Sequence, residues 1–133
     1  MLTAPQLGAR HSRRLVGAGK MTGPSTKSGK IFADEIGVSP SLSPNIPDVS
    51  VPYSSLVPAK TDNLLVAGRH ISTDAQTHPF MREIPQCWLT GHAAGVAAAL
   101  SANAGVVPRK MNVTEIQTAL RKQGAFIREN EAG

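Results

Sequence analysis

From Pro85 to Gly105 the chain reads Pro-Gln-Cys-Trp-Leu-Thr-Gly-His-Ala-Ala-Gly-Val-Ala-Ala-Ala-Leu-Ser-Ala-Asn-Ala-Gly, and this stretch limits the possible fold more than any other. Proline suits the first helical turn, where its missing N–H is not needed. Glycine suits the left-handed residue that follows the last turn. The pattern predicts a helix from Pro85 to about Ala104, capped by Gly105. Gly91, Gly95 and Ala99 are four apart, as are Ala94 and Ala98. Residues four apart share one side of a helix, so another backbone or a bound molecule can approach these rows closely. In a membrane such a row suggests helix dimerisation. The start of this helix is too polar for that, and close packing on a sheet or a ligand is the expectation.

Upstream lies Asp62-Asn-Leu-Leu-Val-Ala-Gly-Arg69. Leu64 to Ala67 is a continuous apolar run rather than an alternating one. That is the pattern of a strand covered on both faces, as in parallel sheets. Gly68 ends it, and Arg69 to Phe80 reads as a polar crossing loop. A strand, a glycine and a small-residue helix predict an α/β arrangement. A second helix is predicted over Val113–Gln123, with Asn112 and Glu115 as a capping pair and Gly124 as the stop. Val113, Ile116 and Leu120 would share its buried face.

The first third is less regular. Arg10 to Val16 suits a polar, half-exposed strand. Gly17 to Lys30 reads as a Gly/Ser/Thr/Lys loop, and Ile31 to Val38 as a short strand or turn. Pro40, Pro44 and Pro47 make 39–48 irregular. Val49 to Val57 favours strand, but Pro52 and Pro58 confine it to an edge. The Pro-rich stretch suggests a division into 1–48, irregular, and 49–133.

Size allows one domain of 133 residues. The hydrophobic fraction is 41%, yet aromatics are 4%, and 12 glycines and 10 prolines dilute the rest. Such a composition suits part of a larger core better than a complete one. The net charge of +5 invites a nucleic-acid reading. The positive residues are scattered, however, and no aromatic residues alternate with them for base stacking. One cysteine, Cys87, excludes an internal disulfide framework and a cysteine-rich zinc site. No apolar run resembles a signal peptide or spans a bilayer, so the expectation is cytoplasmic, without membrane attachment. A longer parent chain would carry its own address.

Several motifs tempt and fail. Gly17-Ala-Gly19-Lys-Met-Thr-Gly23 has its third glycine one residue late for a dinucleotide fingerprint, and no apolar-periodic helix follows. Gly23 to Lys30 has one residue too many for a nucleoside-triphosphate loop, and Ile31 stands where a hydroxyl is required. His11, His70, His78 and His92 form no helical pair and join no carboxylate cluster, so no metal is expected. Their plain reading is polar surface. Cys87 near a helix start can have a lowered thiol pKa, although a small buried residue is its simpler role.

Four segments in order carry a resemblance. They are Gly8-Ala-Arg10-His-Ser-Arg13-Arg14-Leu-Val-Gly17, Val51-Pro-Tyr-Ser-Ser-Leu-Val-Pro58, Asn63-Leu-Leu-Val-Ala-Gly-Arg-His-Ile-Ser72, and Arg82-x-x-Pro85-x-Cys87-x-x-x-Gly91-x-Ala-Ala-Gly95. Together they resemble the C-terminal signature of FAD-dependent oxidoreductases of the glutathione-reductase-like superfamily, from about residue 8 to 125. The resemblance implies a C-terminal fragment of an FAD-binding Rossmann-like fold: the last parallel strand, the long small-residue helix, a few peripheral strands and a C-terminal helix. It implies that Gly68, Arg69, Arg82, Pro85, Gln86, Cys87 and Gly91 contact FAD. It places Arg10, Arg13 and Arg14 on a substrate-side strand, where an arginine can hold an anionic substrate or the flavin edge. The first-turn amides of the long helix would favour negative charge on the flavin's N1–C2 edge by about 1 kcal/mol, roughly 20 mV for a two-electron couple. His11, Trp88 and His92 depart from the family's usual residues, and Gly23 to Asp48 aligns poorly.

The expected function is therefore hydride transfer between a small-molecule substrate and FAD, with the ADP-binding portion supplied elsewhere in the same chain or by a separate one. The chain alone is expected to bind FAD weakly and to be inactive. The rivals are an inactive truncated remnant and a small basic nucleic-acid-binding module.

Overall fold

The computed structural model describes residues 11, 13–41 and 43–128. Helix α3 (Ile84–Ala104) is its longest element. It begins with Pro85 in the first turn and ends on Gly105, whose φ of 64° is left-handed and unstrained only for glycine. The amide of Val106 closes the cap on the Ser101 carbonyl at 3.1 Å. Its buried row is Gln86, Thr90, Ala93, Ala97 and Ser101. The Gly91–Gly95–Ala99 row is exposed, and a Cβ built on either glycine meets no atom within 4 Å. The expected close packing along that row is thus not made among the described residues. Gly91 and Ala93 are two residues apart, about 200° around a helix, so burying one row turns the other outward.

The buried row packs on a two-stranded antiparallel sheet. Strand β1 (Glu35–Ser39) pairs with β2 (Val49–Pro52), with an irregularity between Glu35 and Gly37. Gly37 lies beneath α3, where an added Cβ would stand 2.7 Å from Leu89 Cδ1. Pro52 ends β2, consistent with its inability to donate a ladder bond. The pairing joins the two sides of the 40–48 loop into one packed unit. The division at 1–48 and 49–133 therefore marks composition and not a break in packing.

Helix α4 (Val113–Lys122) packs against both β1 and α3. Asn112 caps it by accepting from the Thr114 amide at 3.0 Å. Ile116 and Leu120 are buried, and the Gln117 amide donates to the carbonyls of Ala33 and Glu35. After Gly124 the chain returns to β1. There Arg128 closes an ion pair at 2.9 Å with the buried Glu35 carboxylate, which also accepts from the Arg128 backbone amide. Met21, Ile36, Val51, Leu56, Ile71 and Met81 fill the centre.

Several segments differ from their expectation: 13–16 form no strand, and the 69–80 loop holds a short helix, His78–Met81, and buried residues. Residues 63–67 form no strand and begin on Asn63, whose φ of 54° is left-handed; Leu64 is 47% exposed. A continuous apolar run needs cover on both faces to behave as a parallel strand. Among the described residues, the Val66 amide is tied to the Leu56 carbonyl at 2.9 Å. Within the Gly17–Lys30 loop, a short helix α1 (Gly23–Lys27) forms. Thr22 and Ser25 make a reciprocal capping box there, and Pro24 lies in its first turn. The nearby glycines serve packing, not phosphate. A Cβ on Gly17 would meet Ser72 Cβ at 2.7 Å, and one on Gly19 would meet Ser54 Cβ at 2.8 Å.

Candidate functional site

Described parts of the segments that carry the resemblance come together around residues 66–72, which are tied to 15, 55 and 56 and, through Gly68, to the head of α3. Gly68 opens a single 3-10 turn, Gly68–His70, with φ of 74°. Its amide donates to Thr90 Oγ at 2.9 Å, and the Thr90 hydroxyl reaches the Gln86 carbonyl at 2.8 Å. A single threonine therefore fastens the turn after residues 63–67 to the first turns of the helix. A Cβ on Gly68 would meet only Cys87 Sγ, at 3.6 Å, so the space beside the turn is open. Thr90 was not singled out from sequence. A hydroxyl among alanines and glycines, one helical turn after Gln86, was its signal.

The N-terminus of α3 is uncapped by side chains: Glu83 occupies the cap position without a capping bond. Pro85 has no amide to offer, whereas Ile84 and Gln86 do. The Gln86 side chain turns inward instead. It is buried, and its Nε2 donates to Ser39 Oγ at 2.9 Å while its Oε1 has no partner. Any contact of Gln86 at the helix head is therefore made by its backbone. Cys87 is half-buried, with Sγ 3.5 Å from the Arg82 carbonyl. Gly91 is exposed one turn further on.

The extended segment 13–16 runs beside the same turn. Leu15 donates to the His70 carbonyl at 2.7 Å, leaving Arg13 and Arg14 exposed. Arg10 lies outside the described residues. Short helix α2 (His78–Met81) supports the turn from below. His78 is 1% exposed, not the polar surface its sequence context suggested. Its Nε2 lies 3.1 Å from the Arg69 carbonyl, which can only accept, so this nitrogen carries the proton. Burial lowers the His78 pKa below its ordinary 6.5, and the charges of His11, Arg14 and Arg82 lower it further, against the Arg69 hydrogen bond. Arg82, four residues after His78, has its Nε buried without a hydrogen bond, with the Glu83 carboxylate 4.0 Å away.

Among the described residues no group of three or more His, Cys, Asp or Glu is placed to hold a metal ion. Nor is any helix among them long and apolar enough to cross a membrane. No curated protein and no solved structure matches the chain. A family model described as FAD dependent oxidoreductase matches residues 1–120, nearly its whole length. With its glycine turn clasped to an uncapped helix head, the chain belongs to the family of FAD-dependent oxidoreductases, whose cofactor is FAD.

Proposed function

We propose that this chain supplies the flavin-facing wall of an FAD-dependent oxidoreductase, as the C-terminal part of the working enzyme. The observation that carries this reading is the Gly68 turn fixed by Thr90 against the uncapped start of α3. The donors fit one edge of the cofactor. Free first-turn amides favour a negatively charged group, and the open space beside Gly68 admits a flat ring. Gly68, Arg69, Arg82, Pro85, Cys87 and Gly91 would line that edge, with Gln86 contributing its amide. When bound, the flavin supplies a two-electron acceptor for a substrate hydride. Arg13 and Arg14 would face the substrate.

The second support is uncovered apolar surface. Ile84, Trp88, Gly91 and Gly95 recur at helical spacing along one outward face of α3, and Ile84 and Trp88 are 65% and 74% exposed. Leu64 on the unpaired 63–67 segment is exposed as well. These surfaces suit burial against an ADP-binding portion of the same enzyme, on the same or another polypeptide.

Titrating the chain with FAD and following flavin fluorescence tests the reading. The expected outcome is no stoichiometric complex for the chain alone, and a yellow complex once a segment with an in-frame Gly-x-Gly-x-x-Gly, translated from the DNA upstream, is co-expressed. A one-to-one flavin complex of the chain alone would refute its role as one part of the site.

A further inference from the structure

Charged side chains gathered around the Gly68–His70 turn are mostly of one sign. His78 and Arg82 lie four residues apart, along α2 and its C-cap, and so share one side. His78 Nδ1 and Arg82 Nε are both buried, and neither has a hydrogen bond. Orphaned buried polar atoms are costly, and two together on one face point to a missing partner. The exposed ring of His11 covers His78, with centroids 4.8 Å apart and planes tilted by 41°. His11 and Arg14 also act on His78 electrostatically, as Arg82 does. The half-exposed Glu83 carboxylate lies 4.0 Å from Arg82 Nε.

We propose that His78 Nδ1 and Arg82 Nε form the floor of a site for a substrate carboxylate, with His11 as its cover and Arg14 at its rim. A carboxylate offers two oxygens to two N–H donors, and charge-assisted bonds of this kind are the strong ones. The Nε2 bond to Arg69 leaves Nδ1 as the nitrogen that takes up a proton when an anion arrives. The site abuts the helix head, because the Arg82 carbonyl is in contact with Cys87 Sγ. It names the substrate class, an organic acid, and as a substrate site it rests on the flavin reading above.

The test is a titration of the isotope-labelled full chain with succinate at constant ionic strength, following the imidazole nitrogens of His78 by NMR, then a repeat with inorganic phosphate. Succinate is expected to protonate Nδ1 saturably. Arg82→Gln is expected to weaken succinate about tenfold, the scale of one charge-assisted hydrogen bond. Arg14→Gln, at an exposed position, is expected to weaken it several-fold and decides the matter should Arg82→Gln not fold. No saturable response, an unchanged affinity in the variant that folds, or tighter binding of phosphate than of succinate would overturn the site. Displacement of succinate by FAD would overturn it too, assigning the cations to the cofactor. If the chain binds succinate but forms no flavin complex even with the upstream segment co-expressed, the anion site stands and only the flavin reading fails.

Discussion

Asp74 shows how much one short side chain organises here. Its Oδ2 accepts from the Gly23 amide at 2.8 Å and its Oδ1 from the Thr77 amide at 2.7 Å, joining the head of α1 to that of α2. Burial raises its pKa, but the hydrogen bonds from Gly23, Thr77 and Gln76 outweigh this and hold it below the ordinary 3.8. Asp74→Ala should cost about 1–3 kcal/mol, the penalty for stranding such donors, read as a lower urea midpoint at unchanged slope. The carboxylate's contribution is present above pH 3.8 and fades as pH falls through its depressed value. His78 acts at higher pH with the same sign. Its folded-state pKa lies below 6.5, so the unfolded chain takes up the proton first and stability declines as pH drops under 6.5. His78→Gln should remove that first decline and leave the one belonging to Asp74, in urea titrations across pH. Neither His78 nor Thr90 was legible as special from sequence. A histidine between Thr77 and Pro79 in a polar loop carries no pattern, and its burial depends on contacts with residues far along the chain.

The elements were legible in proportion to how local their signals are. Helices α3 and α4 follow from Pro85, Gly105, Asn112 and Gly124, residues that act on their own neighbours. Which face of α3 would be buried was not legible, since alanines and glycines line more than one side. The strand expected at 63–67 shows the same limit. Its apolar run describes an environment, and the described residues do not provide it. The two kinds of glycine on this helix–sheet pair should respond oppositely to one added methyl group. Gly37→Ala drives a Cβ into Leu89 and should destabilise by about 1–3 kcal/mol. Gly91→Ala meets open space and should stabilise the isolated chain by roughly 0.5–1 kcal/mol through helix propensity. Thermal melts of the two variants check both signs. A destabilised Gly91→Ala would mean that the outward face is already occupied.

At the scale of the whole molecule, the closing contact is the return of Arg128 to β1. The Glu35 carboxylate is 1% exposed and meets both the guanidinium and the backbone amide of Arg128. Arg128→Ala would leave that buried charge without its ion partner and should cost about 3 kcal/mol, near the lower end for a broken buried pair. Hydrogen exchange should show β1 opening more often, while α3 keeps its protection beyond its first turns. The family was legible from sequence because four short segments kept their order; the site was legible only in outline. Geometry added the Thr90 clasp, the inward turn of Gln86 and the cationic group around His78. Trp88 is the sole tryptophan and stands on the outward side of α3. The protein thus carries its own optical gauge: an indole bathed in water emits toward the red, and it shifts blue and dims once another polypeptide with its yellow chromophore closes over it.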